Sequence, residues 1–416
     1  MRNLLATIIL CVFSCSTNAQ KKEAPFFKAK GLVVISDADM TASAYIDGKL
    51  NKMRGAKDIL SIIALEEKDT IINQLEVSNS VTNWTKSLAL TKDGNYAFVA
   101  ETRGGLPDSV QQVSNIFEAL PPARKLTVID IKTKTVISHI DAGTIPLVAQ
   151  LNTTETILVT CVTDIGAEIV FIDWKAPKFA RKQSVAMPLK EGEIGRVTDI
   201  TWHPSGHYLA LTLEELGQIV FLAFKNDNGN YSIEKIGEAI TINGLVGAGQ
   251  FTSDGKDYIV PNLKNWVDDG ELVSIRPDFK EGEHAITSIV QVGRAPEGFA
   301  ISPNNDFVVV ANMKGSHFPR EHPLFTATSS LSLLSLDHTA GKLKMLEQYP
   351  FEGILPENIV FDQDGDTIAL VVYEYHGKDH GGVEFWELET DPMPVLMHLP
   401  NRIQVAKGAH ALEILK

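Results

Sequence analysis

The sequence predicts an all-β protein, a seven-bladed β-propeller of four-stranded antiparallel blades closed by pairing the C-terminal strand with N-terminal strands. Three observations predict it. Short apolar runs broken by Gly, Asp, Asn and Pro take the place of any sustained helical period. One phrase, an apolar strand, a polar turn and a second apolar strand, recurs every roughly 50 to 60 residues. The two ends of the chain carry complementary fragments of one further copy.

The clearest copy spans 87–100, where Leu-Ala-Leu precedes the turn Thr-Lys-Asp-Gly-Asn and Tyr-Ala-Phe-Val-Ala follows it. The others are 147–161 (degenerate at its turn), 199–213, 248–262, 298–312 and 358–373. A third strand follows each, at 126–131, 169–172, 219–222, 272–275, 331–334 and 383–386, and then a more polar fourth, as at 135–140 and 288–292. Four antiparallel strands per repeat make a propeller blade. The seventh is divided. Residues 410–415 read as a first strand with nothing after it, and 31–36, 61–65 and 70–75 read as strands two to four with nothing before them. Joining them removes two exposed sheet edges, which is the physical reason for such a swap.

Residues 1–19 read as a cleaved signal peptide: Arg2, an apolar run from Leu4 to Phe13 too short to span a bilayer, then Thr17-Asn18-Ala19 before Gln20. The alternative is a lipoprotein anchored at Cys15. Residues 20–416 are then one propeller domain, its closing blade formed from 28–77 and 408–416, in a periplasmic or secreted protein. Cys11 and Cys15 belong to the leader, which leaves Cys161 alone and excludes an internal disulfide. The 52 acidic residues outnumber 38 basic ones, for a net charge of −14, and no basic footprint points to nucleic acid. No later stretch is long and apolar enough to be a transmembrane segment.

In a blade of this kind the turn entering strand one and the loop between strands two and three share one face, around the central channel. Counting the closing blade as blade 1, blades 2 to 7 and then blade 1 place Lys86, Leu147, Thr198, Gly247, Glu297, Glu357 and His410 at the strand-one entry. Glu, Glu and His thus fall on three consecutive blades. The long loops cluster in the same way, at 37–58, 101–125 and 313–329, against short ones near Asp164 and Glu214. In the second of these, Val110, Val113, Ile116, Phe117 and Leu120 are spaced for a short amphipathic helix on the rim. The third carries Lys314, His317, Arg320 and His322, and blade 7 adds His376, Lys378 and His380. Arg103, Lys264, Lys314 and Lys378 each follow a second strand, so cations rim the mouth and favour an anionic ligand. Trp84 and Trp266 offer rings on which a sugar could stack, although Trp serves more often in packing.

The stretch 292–305, Val-Gly-Arg-Ala-Pro-Glu-Gly-Phe-Ala-Ile-Ser-Pro-Asn-Asn, followed by Val-Val-Val-Ala-Asn at 308–312, resembles the repeat of the lactonase-like (YVTN-type) seven-bladed propellers. The resemblance covers nearly all of the chain after the leader and implies fold more than function, since this architecture hosts lactonases, lyases, redox domains and binding proteins. Family repeats often carry His after the Pro of that phrase, where this chain has Glu297 and, one blade later, Glu357.

These readings converge on an exported hydrolase or lyase acting on a small anionic sugar derivative, a lactone or uronate. The lactone-type chemistry is what the resemblance implies. Glu297, Glu357 and His410 are the candidate acid/base groups, and Lys86, Arg103, Lys314, His317, Arg320 and His376 the candidate substrate contacts. A divalent cation (Ca, Mg or Mn) on Glu297, Glu357 and Asn312, with His410, is a variant. No Cys-x-x-Cys-His motif exists for covalent haem, and there is no Gly-x-Ser-x-Gly elbow or Walker loop. The alternative is a non-catalytic propeller that binds a ligand or an envelope protein at the same mouth.

Overall fold

The computed structural model describes residues 27–65, 70–188 and 195–416; the leader expected at 1–19 lies outside them. Seven antiparallel sheets follow one another along the chain. Blade 2 is built from Leu88–Leu90, Tyr96–Ala100, Lys125–Asp130 and Thr135–Asp141, hydrogen-bonded in that order. Blades 3 to 7 repeat the pattern, beginning at Gln150, Val197, Gln250, Pro296 and Ile354. Blade 4 gains a short fifth strand, Ile240–Thr241, against its third. First strands of successive blades lie against one another, except that the blade 6 first strand meets the second and third strands of blade 5, and they are the inner strands of the ring. Fourth strands are outer edges, and Thr70–Glu76 and Thr135–Asp141 alternate exposed and half-buried positions.

Blade 1 closes as expected. Ala409–Leu415 pairs antiparallel with Gly31–Ser36, from Gly31 opposite Leu415 to Ser36 opposite Ala409, and Ile59–Leu65 and Thr70–Glu76 complete the sheet.

The recurring turn has a local cause. Thr91, Thr252 and Ser302 each accept, on the side-chain oxygen, the N–H of the residue five positions on, at 3.1, 3.1 and 2.9 Å. This pins the start of the second strand. The degenerate turn of blade 3 solves the same problem with Asn152, whose Oδ1 accepts from Thr156 and Ile157 at 2.9 and 3.0 Å. Between blades the sheets pack through aromatic clusters: Phe98, Trp174 and Phe179 between blades 2 and 3, and Phe171, Trp202, Phe224 and Tyr231 between blades 3 and 4. Cys161 is buried and free. Among the described residues no helix is long and apolar enough to cross a membrane.

The insert of blade 2 departs from expectation. Only Ile116–Ala119 is helical, capped by Asn115, whose side chain accepts from the Phe117 N–H. Pro121 and Pro122 forbid continuation, and the segment before Asn115 is irregular, with a turn at 108–109. Val110, Val113, Ile116 and Leu120 still face inward, whereas Phe117 is exposed. This insert and the blade 1 insert zip together, with Leu50 N–H donating to Gln111 O and Val113 N–H to Gly48 O, both at 2.9 Å. Gly48 is obligatory there: a Cβ would lie 1.9 Å from the Val113 carbonyl oxygen, and its φ is +65°. Together the inserts form a cap over one end of the channel, its apolar core shared with Trp84, Ala248, Ala295, Met313, Leu355 and Tyr373. Blade 7 holds the cap by Tyr373 O–H to Met40 O (2.7 Å) and Ala42 N–H to Glu374 (3.1 Å).

Candidate functional site

Four of the strand-one entry residues are bulges. Pairing with the second strand skips Thr198 in blade 4, Glu297 in blade 6, Glu357 in blade 7 and His410 in blade 1. A bulge frees one residue from the ladder and re-aims its side chain. The Glu297 and Glu357 bulges each follow a residue in the left-handed region before a proline, Ala295 (φ 51°) and Leu355 (φ 52°). Blade 3 has the same feature at Ile145 (φ 57°), before Pro146. Such a backbone costs roughly 1–2 kcal/mol per non-glycine residue, and strain of this kind gathers at functional sites.

Glu297 and Glu357 come together. Gly298 has no Cβ because one would stand 1.7 Å from the Glu357 carbonyl oxygen, so the blade 6 bulge presses directly on blade 7. The two carboxyl side chains lie close enough for each to shift the other's proton affinity. Burial, and then the Glu297 charge, push Glu357 well above the carboxylate range, and burial pushes Glu297 up to about 7. The contact between them raises Glu357 and lowers Glu297, so of the two Glu357 holds a proton more tightly. Glu357 is buried and Glu297 half-buried beneath the cap. Tyr45 of the cap lies close enough for both acids to raise its own pKa, after burial, and its hydroxyl donates to Val81 O at 2.9 Å.

A line of charges continues from this pair across the mouth. The Glu214 charge raises Glu297 further. Glu214, raised by burial, is lowered by Arg196, by Trp84 and by Thr198. Arg196 in turn lowers the pKa of Arg103, which burial already depresses, and Arg103 donates to Leu120 O at 2.8 Å. Blades 2, 4, 6 and 7 thus place Arg103, Glu214, Glu297 and Glu357 around one mouth, with Arg196 arriving from the segment before blade 4. Glu214 and Arg196 went unrecognised in the sequence, because one sits in a short loop and the other between repeats.

The other candidates have partners of their own, and Asn312 stands opposite Pro296, beside Glu297. His410 is buried and its Nε2 lies 2.7 Å from Asn79 Oδ1, while the Asn79 amide donates to Ser36 O and Val77 O. Burial lowers His410 to about 3, so it is neutral, and no described contact joins it to the carboxyl pair. Lys86 crosses the channel axis: its Nζ lies 2.9 Å from Asp199 Oδ2 and 2.6 Å from Thr201 Oγ1, and also meets Gly249 O. It is engaged with blades 4 and 5 and does not face the mouth. Asn312 donates to Ser330 O, Ser330 Oγ and Ser332 Oγ within its own blade. His317 is buried against Phe318, Arg320 is exposed, Lys314 is half-buried, and His376 is half-buried beside Phe325.

A second acidic group lies at the base of the blade 1 insert. Asp37, Asp39 and Asp58 offer ligand oxygens within 4.8 Å of one another, a donor set suited to a hard cation. Much of their charge is already answered. Lys52 Nζ sits 3.0 Å from Asp39, Asp58 accepts from the Ala38 and Asn79 N–H groups, and Asp37 from those of Asp39 and Val81. Burial still raises Asp58 to about 7 and Asp37 well above its usual range. Asp37-x-Asp39 at the head of a long insert was the available sequence signal.

No family model matches the chain, and no curated protein matches it. Solved structures do. A Bacteroides fragilis protein provisionally assigned as a 6-phosphogluconolactonase superposes with a TM-score of 0.64 at 15% identity, covering 93% of this chain and 98% of that one. The periplasmic gluconolactonase of Pseudomonas aeruginosa gives 0.61 at 13% identity, covering 92% and 99%. A Lactobacillus plantarum protein gives 0.62 at 12% identity, covering 93% and 100%. At such identities the likeness speaks for architecture, and it agrees with the strand order and the closure. This chain has the fold of the lactonase-like seven-bladed propellers.

Proposed function

We propose that the protein hydrolyses a lactone of a small anionic sugar at the capped mouth, with Glu297 and Glu357 as the acid/base pair. One observation carries this reading: two carboxyls from neighbouring blades, pressed together at Gly298, are both held above the carboxylate range, Glu297 at about 7, at the head of a line of charges that ends in two guanidinium groups. An acid of that pKa is poised to take and return a proton near neutral pH. Ionised Glu297 would remove a proton from water as its oxygen attacks the lactone carbonyl carbon. Arg103 and Arg196 would answer the negative charge that develops on the carbonyl oxygen and the substrate's own anionic group. When the ring C–O bond breaks, protonated Glu357 would return a proton to the departing alkoxide. Lactone and water are thereby converted to one hydroxy acid. Two solved structures of this architecture bear gluconolactonase names, which supports the substrate class. Should a divalent cation take part, the carboxyl pair offers it two oxygen ligands.

A non-catalytic mouth that binds a ligand or an envelope protein is the second reading, favoured by the burial of Glu357, which is 2% exposed. Turnover of a panel of aldonolactones and their phosphorylated forms, with and without chelator, separates the two. Wild type should hydrolyse at least one, with a rate that rises through pH 7, and Glu297→Gln should lose roughly 10²-fold or more in kcat. A wild type inert on the whole panel, or a fully active Glu297→Gln, overturns the enzymatic reading.

A further inference from the structure

We propose that the rim over blades 5 and 6 is a separate binding site for an anionic oligosaccharide, in which the Trp266 ring stacks on a sugar and Lys314 and Arg320 meet its carboxylates. The chain has five tryptophans. Trp84, Trp174, Trp202 and Trp386 are each 8% exposed or less, and Trp266 is 38% exposed. It sits in the loop between strands Tyr258–Asn262 and Asp269–Arg276 of blade 5, on the same end as the capped mouth. Its backbone φ is +67°, a region that bulky residues rarely adopt, and Lys264 two positions earlier is at +57°. The loop is fixed in this shape by side chains. Asn265 Oδ1 accepts from the Val267 and Asp268 N–H groups, both at 3.0 Å, its amide meets Asp268 at 2.9 Å, and Asn262 Oδ1 accepts from Lys264 N–H at 3.0 Å. A strained conformation, over-determined by hydrogen bonds, presents an aromatic ring to solvent.

Behind the ring stands a support of matching chemistry. His317 meets Trp266 edge-on with centroids 6.2 Å apart, His317 lies 4.4 Å from Phe318, and Phe318 stacks on His322 at 4.3 Å. Burial drives His317 down to about 4, so it is a neutral wedge. Its Nδ1 is buried without a hydrogen-bond partner, which marks a position held for packing and not for polar satisfaction. Among the described residues neither Lys314 nor Arg320 pairs with a carboxylate, whereas Lys264 nearby is paired with Glu271 at 2.8 Å. Val267 is the one large exposed apolar neighbour in this loop, so the rim lacks the continuous apolar patch a protein interface would use. An isolated exposed ring backed by the His317 imidazole, whose own loop carries the unpaired cations Lys314 and Arg320 three positions to either side, suits a sugar face with acidic substituents.

This inference does not rest on the carboxyl pair, and the test keeps the two apart. Trigalacturonate is titrated into the full chain by calorimetry, with tryptophan fluorescence as a second readout and neutral maltotriose as the comparison. Saturable binding of trigalacturonate is expected, with Trp266→Ala weakening it about ten-fold or more at an unchanged melting temperature and Trp266→Phe restoring most of it. The double variant K314A/R320A should bring trigalacturonate down to the affinity of maltotriose. Glu297→Gln should bind as wild type does. Absence of trigalacturonate binding by the wild type, equal affinity in Trp266→Ala, or loss of binding in Glu297→Gln overturns the proposal.

Discussion

Replacing Lys86 by Met removes one half of a buried charge pair that spans the channel. Asp199 has no exposed side-chain surface, and Lys86 is 16% exposed. In the native protein Asp199 Oδ2 receives Lys86 Nζ at 2.9 Å, Thr201 Oγ1 at 3.0 Å and Gly249 N–H at 3.1 Å, while Oδ1 makes no hydrogen bond. Methionine fills a similar volume but leaves Asp199 charged, buried and short of its strongest partner. Breaking a buried pair from one side costs about 3–5 kcal/mol. For 416 residues, an unfolding entropy of roughly 2.1 cal/mol/K per residue gives about 0.9 kcal/mol/K for the chain, so the melting temperature should fall by about 3–6 °C. Changing both partners, Lys86→Met with Asp199→Leu, leaves no stranded charge and should recover most of the loss. Differential scanning calorimetry measures both. If Lys86→Met melts like wild type and instead loses affinity for an anionic ligand, Lys86 faces the mouth and the cross-axis assignment is wrong.

Two further outcomes follow from the same physics. Glu297 is held at about 7 against an ordinary 4.5, so folding disfavours its charged form, and the stability present at acid pH is lost as pH rises through 7. Glu297→Gln should therefore match wild type near pH 4.5 and be the more stable protein at pH 8, by at most about 3 kcal/mol; equal denaturation midpoints at pH 8 would refute the raised pKa. His410→Ala strands Asn79 Oδ1 and should cost about 1–3 kcal/mol in denaturation, with lactone turnover per folded molecule unchanged. A loss of turnover at full stability would return His410 to the reacting groups.

The fold was legible because each blade writes its strands and turn within about fifty consecutive residues, and the swap left matching fragments at 31–36 and 410–415. The carboxyl pair was legible for a related reason: Glu297 and Glu357 occupy one position of a repeat, and neighbouring repeats are neighbours in space. That logic fails where direction matters. His410 occupies the same repeat position, but Asn79, a residue outside any repeat, decides where its ring points. Lys86 looked like a rim cation because nothing local shows Asp199 waiting across the axis, 113 positions away in the chain. Arg196 and Glu214 were hidden because they belong to the irregular parts of blade 4, and only tertiary packing brings their charges into line with Glu297. The helix expected at 110–120 shrank to one turn because its apolar spacing is met by an irregular segment pinned to the blade 1 insert.

The divided blade also imposes an order of assembly. Ala409–Leu415 is synthesised after every other strand described, yet it supplies the inner strand beside which both the blade 7 wall and the cap-bearing blade 1 are seated. Until it docks, Gly31–Ser36 has an open edge, and the insert at 37–58 that holds Tyr45 over the acids hangs from an unfinished sheet. Chains that lack this pairing should therefore carry Glu297 and Glu357 without the enclosure that sets their proton affinities. The enclosed mouth would form in one step, at the moment Ala409–Leu415 finds Gly31–Ser36.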